Sequence, residues 1–298
     1  MKARSALLLL VLPWAALAQA PPQVIAVGRL AAAPQLDGSL ADWPKEGWSA
    51  VKVTPAVAAG EREKFGLDPE DRNHTGTLTV ELRAGVFGDR LYFAARWPDD
   101  AADTEYKGWE WAGSKYAEGK RRDDAFAVRF HLSGDYDRTM LSAKAYVADV
   151  WFWSAARTNP AGYAEDWTHQ VSTRMIDDAA EYAVKGVGTV YIKKQRDAGG
   201  GPYKALPRPK EKSGERLPSF EVVKAPAGSI ADVQAKGRWA AGKWSLELAR
   251  KLDTGHPDDV PFAAGRKLLG QIAVFNRGAD ENKSVSEPLL FDFAAAGK

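Results

Sequence analysis

The 298-residue chain contains no cysteine. That excludes disulfides and thiolate metal sites. Histidine is scarce: His74, His131, His169 and His256 are the four in the sequence, and no two are spaced as a metal pair. Methionine is scarcer still, three residues including the initiator. Charge of one sign is missing as well. Lysine and arginine number 41 against 39 aspartates and glutamates, a net charge of +2, which argues against a nucleic-acid surface. No Gly-x-Ser-x-Gly or P-loop is present, and Gly199-Gly200-Gly201 does not lead from a strand into a helix. Asp123-Asp124 offers two adjacent carboxylates, but neighbours on a strand point to opposite faces, so the pair reads as a turn entering a strand and not as a general acid and base. Catalysis by this chain alone is the least supported reading.

Long apolar runs are confined to the start. Lys2 and Arg4 precede an apolar stretch over 7–17, and Ala16-Leu17-Ala18 fits a small-x-small cleavage site. This is the pattern of a Sec-type signal peptide cut after Ala18, and the run is too short to span a bilayer. No Cys follows it for lipid attachment. The expectation is export to the periplasm, with residues 19–298 forming one domain.

Alternation of period two dominates what remains. Segments 77–84 and 91–97 flank Gly88-Asp89-Arg90 and predict a hairpin. Segments 124–132, 145–155, 182–193, 237–250, 268–275 and 288–293 predict further strands, with Ala241-Gly242-Lys243 turning the chain between Trp239 and Trp244. Eight or more strands without a long amphipathic helix predict an all-β antiparallel sandwich. Segment 195–228 breaks the rhythm with five prolines and three consecutive glycines, and 193–216 carries eight basic and three acidic residues. It reads as a flexible insertion or a docking surface for an acidic partner.

Two motifs carry resemblances. Leu36-Asp37-Gly38-Ser39-Leu40-Ala41-Asp42-Trp43 is similar to the opening of sandwiches like the family 9 carbohydrate-binding modules, with Asp-Gly making a turn and Trp43 plugging the sandwich end. Segment 146–167 holds three tryptophans and two tyrosines. Its Asp149, Val150, Trp151, Trp153, Ala155 and Arg157, followed by Gly162, Tyr163, Ala164 and Asp166, resemble the signature of the haem-b-binding, gamma-type subunits of ethylbenzene dehydrogenase and related dimethyl sulfoxide reductase-like enzymes. Ser154 stands where relatives often have Lys, and Glu165 where they have Asp.

The resemblance implies a non-covalent haem b, since no Cys-x-x-Cys-His is present. It places the axial ligands at Met140, shortly before the signature strand, and at Lys283 in Lys283-Ser-Val-Ser286. A thioether is a soft neutral ligand, and an amine binds iron only when deprotonated. Phe275 and Asn276 replace the usual Trp and Asp ahead of Lys283. On residue type alone, Met140 reads equally as a gap-filling core residue and Lys283 as a solvated loop lysine. His131 is the alternative iron ligand, and His169 a further one. Trp151, Trp153 and Tyr163 are candidate pocket residues. The two tryptophans share a strand face and could wall the haem, stack on sugars, or fill the core. Asp149 and Asp166 read as structural, bonded to turn amides or to Arg157.

The function implied is a periplasmic electron relay between redox-enzyme subunits and c-type or b-type cytochromes. Two alternatives stand beside it. One is a non-redox carbohydrate-binding module, resting on residues 36–43 and on the Trp109/Trp111 pair. The other is an accessory subunit of the same fold without haem.

Overall fold

The structure, a computed structural model, describes residues 21–296. The signal peptide read at residues 1–18 lies outside the described residues. In chain order the strands are β1 (Gln23–Arg29), β2 (Ser49–Pro55), β3 (Leu78–Phe87), β4 (Arg90–Pro98), β5 (Trp109–Trp111), β6 (Tyr116–Glu118), β7 (Ala125–Gly134), β8 (Tyr146–Ser154), β9 (Glu165–Ser172) and β10 (Ala180–Val184). There follow β11 (Gly188–Arg196), β12 (Tyr203–Ala205), β13 (Arg216–Leu217), β14 (Phe220–Val222), β15 (Gln234–Ala240), β16 (Lys243–Lys251), β17 (Lys267–Phe275), β18 (Ser284–Ser286) and β19 (Leu289–Asp292).

Fourteen of them form one continuous sheet in the order β10-β11-β9-β8-β7-β17-β18-β2-β3-β4-β16-β15, with β1 and β19 attached beside this path. The sheet folds over on itself into the expected sandwich. It is not wholly antiparallel: β1 runs parallel to both β19 and β3. The predicted β3–β4 hairpin is present, turning at Gly88 with φ +59°. The single strand expected over 182–193 is instead the β10–β11 hairpin, broken at Gly186, whose φ of +83° no β-branched neighbour could adopt cheaply.

Alternation sorts the side chains into layers. Phe126, Val128 and Phe130 of β7, Trp151 and Trp153 of β8, and Ile272 and Val274 of β17 face inward. They meet Phe93 and Trp97 of β4 and Trp244 of β16 from the other half of the sheet. Trp97 stacks on Phe126 at 5.2 Å, and Trp153 meets Trp244 edge-on at 5.1 Å. The Asn-Pro-Ala-Gly turn locks this core. Asn159 Oδ1 accepts from Trp153 Nε1 (3.1 Å) and from the Gly237 amide (2.7 Å).

Trp43 does not plug the sandwich end. It is buried on the outer face of β4 and β16 with Tyr92, Ala94 and Ala249. Its Nε1 donates to Glu247 Oε1 (2.7 Å), and the Gly38 amide donates to Glu247 Oε2 (2.8 Å). The opening motif therefore ties a surface strap to a buried carboxylate. Segment 195–228 is no open loop: β12 pairs with β14, and β13 pairs with β5, which also holds β6.

Candidate functional site

The faces of β7, β8 and β17 that look away from the core carry small residues: Ala125, Ala127, Ala148, Val150 and Ala273. Small side chains beside bulky core-facing ones leave a concave floor. Loops at 56–67, 137–141 and 278–283 fold partly over it and bound an open cavity of about 270 Å3.

Met140 and Lys283, expected as iron ligands, both line this cavity. Met140 comes from the loop between β7 and β8, and Lys283 from the loop between β17 and β18. Lys283 is half-buried, its Nζ lies 5.5 Å from the Phe275 ring centre, and it donates to the Asp280 carbonyl. Burial, reinforced by the charges of Lys194 and Arg129, pushes its amine down to about 7. His169 of β9 lines the same space, and its Nδ1 is buried without a hydrogen-bond partner. Burial first, then Lys194, Arg129 and Lys283, holds its pKa well below the ordinary value. These surroundings favour the neutral imidazole. Thioether, amine and imidazole thus share one cavity, the last two with a lone pair made available by their surroundings.

The other expected site residues lie elsewhere. Trp151 and Trp153 are fully buried in the sandwich core. The pocket side of β8 carries Val150 and Phe152, one residue out of phase with the tryptophans. Tyr163 pairs with Gln234 in an isolated bridge and does not line the cavity. His131, half-buried at the end of β7, sets its Nε2 3.0 Å from the Gly134 carbonyl and is likewise outside. Trp109 and Trp111 sit on β5. Trp111 meets Tyr116 edge-on at 5.1 Å, and Lys212 lies 5.6 Å above its ring.

Sequence reading passed over the charged wall. Arg129 is buried on β7. It donates to Gln271 Oε1 (2.8 Å), the Tyr146 hydroxyl (2.8 Å) and the Arg138 carbonyl (2.9 Å), and no carboxylate pairs with it among the described residues. Arg138 and Lys194 line the cavity too, as does Arg157, which Asp123 holds at 3.2 Å and whose guanidinium lies 3.9 Å from the Tyr106 ring centre. Asp124, next to Asp123, turns the other way and accepts from Trp244 Nε1 at 3.0 Å, so the two carboxylates form no acid–base pair. Phe152, Phe275 and Trp167 make an aromatic wall, with Phe152 5.7 Å from Phe275 and 5.9 Å from Trp167. The signal for this side was visible: Ala125, Ala127 and Arg129 alternate with Phe126, Val128 and Phe130.

The scaffold is thus an all-β sandwich that places one apolar pocket, with soft and nitrogen donors and a basic wall, on the outer face of the sheet. A family model described as "Ethylbenzene dehydrogenase" matches residues 41–286, and the chain belongs to that family. No curated protein matches. Among solved structures, the chain is similar to a family 9 carbohydrate-binding module from Caldicellulosiruptor kristjanssonii in complex with glucose. Identity is 10%, the TM-score 0.37, and 90% of this chain and 85% of that one are covered. It is also similar to a putative carbohydrate-binding protein from Bacteroides uniformis, at 10% identity and a TM-score of 0.40, covering 90% and 91%. Neither likeness carries a ligand over to this chain.

Proposed function

We propose that this chain is a periplasmic haem-b-binding subunit that passes electrons between a redox enzyme and c-type or b-type cytochromes, without catalysing the enzyme's reaction itself. The observation that carries the reading is the convergence of Met140 and Lys283, remote in sequence, on one cavity of the outer sheet face. The residues present suit a haem. Met140 offers a thioether, and Lys283 an amine whose burial lowers its pKa to about 7, so that the deprotonated form is accessible near neutral pH. Arg129, Arg138 and Lys194 offer positive charge to the propionates. Haem b in this place would supply a one-electron couple. The chain's own part is to hold the two donors, keep water from the floor through Phe152, Phe275 and Trp167, and neutralise the carboxylates at the basic wall. At about 270 Å3 the cavity falls just below the roughly 300–1,000 Å3 range of small-molecule sites, so the 137–141 and 278–283 loops must part around a macrocycle.

The test is an absorption spectrum of protein exported with haem supplied, before and after dithionite. Sharp reduced α and β bands, with haem extractable by acid-acetone, are expected. Met140→Ala and Lys283→Ala should each move the Soret band and the midpoint potential. A protein that stays colourless and takes up no added haemin would sink the reading, and unchanged spectra in both variants would sink the ligand assignment.

A further inference from the structure

On the core-facing side of β8 and β9, where the segment after β16 folds over their ends, five carboxylates gather: Asp149, Asp166, Asp197, Asp258 and Asp259. Asp149, Asp166 and Asp259 bring one oxygen each to within 4.8 Å of one another, and so do Asp197, Asp258 and Asp259. One buried cation faces them. Arg250 Nη1 lies 2.7 Å from Asp149 Oδ2, 3.3 Å from Asp166 Oδ2 and 3.3 Å from Asp259 Oδ1. Its Nη2 donates to the Val260 carbonyl (2.6 Å).

Arg250 therefore answers Asp149, Asp166 and Asp259, the last of which also accepts from the Thr254 hydroxyl, and leaves Asp197 and Asp258 unanswered. The remaining ion pairs here are those of His256 with Asp232 and Asp259. Asp197 and Asp258 receive none among the described residues. Asp197 Oδ1 accepts from the Thr168 hydroxyl (3.0 Å), but Oδ2 has no partner although the residue is only 5% exposed. Asp149 Oδ1 and Asp166 Oδ1 are equally unpartnered on fully buried residues. Leaving buried carboxylate oxygens unpaired is costly. A fold that gathers five carboxylates and brings a guanidinium to only three of them calls for further positive charge. An all-oxygen, aspartate-rich donor set suits a hard cation.

The geometry points to a divalent-cation site of the calcium class at Asp197, Asp258 and Asp259, adjoining through Asp259 the buried group of Asp149 and Asp166. The cation ties the end of β11 to the 252–262 segment, and through Asp166 and Thr168 it fixes β9. Trp167 and His169 on that strand line the cavity, so the site braces the cavity wall from behind. It does not depend on what the cavity holds.

The full chain, stripped with EGTA, is melted with and without about 1 mM calcium chloride, a concentration suited to extracytoplasmic sites. At a hundredfold excess over Kd the midpoint rises by about 5 °C. Isothermal titration of the same protein gives saturable heat near one ion per chain. Asp258→Asn, a change at a half-buried loop residue, keeps the melting temperature in EGTA and loses affinity about tenfold or more. Absence of both midpoint shift and heat in the unmodified chain overturns the site. An equal shift from sodium chloride at matched ionic strength reduces it to screening and also overturns it. An equal shift from magnesium overturns the calcium-class assignment.

Discussion

Arg250→Met tests the charge balance beneath the family signature. Arg250 is fully buried, in contact with three carboxylates and the Val260 carbonyl. Its guanidinium carbon also lies 5.0 Å from the ring centres of both Trp151 and Phe262. Methionine keeps most of that packing and removes the charge. Taking one partner from a buried ion pair costs about 3–5 kcal/mol, because the other charge stays behind. The orphaned Val260 carbonyl adds about 1 kcal/mol. A total near 5 kcal/mol lowers the midpoint by about 10 °C in a chain of this size. The assay is urea or thermal unfolding followed by tryptophan fluorescence, in EGTA so that added cations do not mask the change.

The effect has a pH signature. Burial, with Asp149 beside it, already holds Asp166 well above the ordinary carboxylate range. Without the guanidinium the folded-state carboxyls rise further. A group whose pKa is higher folded than unfolded stabilises the fold in acid, and that stability is lost as pH climbs through the folded value. The deficit should therefore be larger at pH 8 than at pH 5. The double variant Arg250→Met/Asp149→Asn should recover part of it, since one fewer charge is stranded. A loss under about 1 kcal/mol at both pH values would mean the cluster is screened by water, and the argument would fail.

Three further perturbations probe other parts of the molecule. A Cβ at Gly237 would stand 2.3 Å from Trp153 Cζ2, and Trp153 cannot withdraw because it is fully buried. Gly237→Ala should therefore cost about 1–3 kcal/mol in urea unfolding, and a neutral result would show slack in the core. Asp99 is buried, and burial followed by the neighbouring Asp103 and Asp100 raises its carboxyl to about 6. Its contribution is present in acid and fades as pH rises from about 4 to about 6, by roughly 3 kcal/mol, and Asp99→Asn should flatten that part of a stability–pH curve. Trp153→Ala should lower stability by about 3–5 kcal/mol with little change in haem uptake, whereas Phe152→Ala should weaken haemin binding in a titration at smaller cost in stability; reversal of the two would show that the cavity is on the wrong face.

The pair Trp153 and Phe152 also explains what was legible in the sequence. Period two shows that Trp151 and Trp153 share a face with each other and not with Phe152, but it does not say which face is core and which is pocket. The signature's aromatic density drew attention to the tryptophans, yet the sandwich needs bulky rings where its two halves meet. A pocket needs small residues, and Val150 and Ala148 are inconspicuous for that reason. Strand identity was readable wherever alternation was clean, as in β3, β4, β7 and β8. It was not readable in β1, whose partners are β3 and β19 and whose parallel pairing no hairpin announces. Met140 and Lys283 were reached through the resemblance. By composition they are one methionine and one loop lysine, and only folding of the 137–141 and 278–283 loops over the same floor brings them together. The basic wall was invisible for a related reason. Arg129 follows Val128 in a strand that reads as core, and nothing local tells that its side chain will find Gln271 and Tyr146 in place of solvent. In the sequence Asp149 and Asp166 read as holding the 159–162 turn or bonding Arg157, and neither reading stands: Asn159 itself holds the turn, Arg157 belongs to Asp123, and the signature carboxylates belong to Arg250, a hundred and one positions from Asp149. A motif spaced along one strand thus records contacts made across the whole sheet, and its acidic members report the far loop more than the turn they flank.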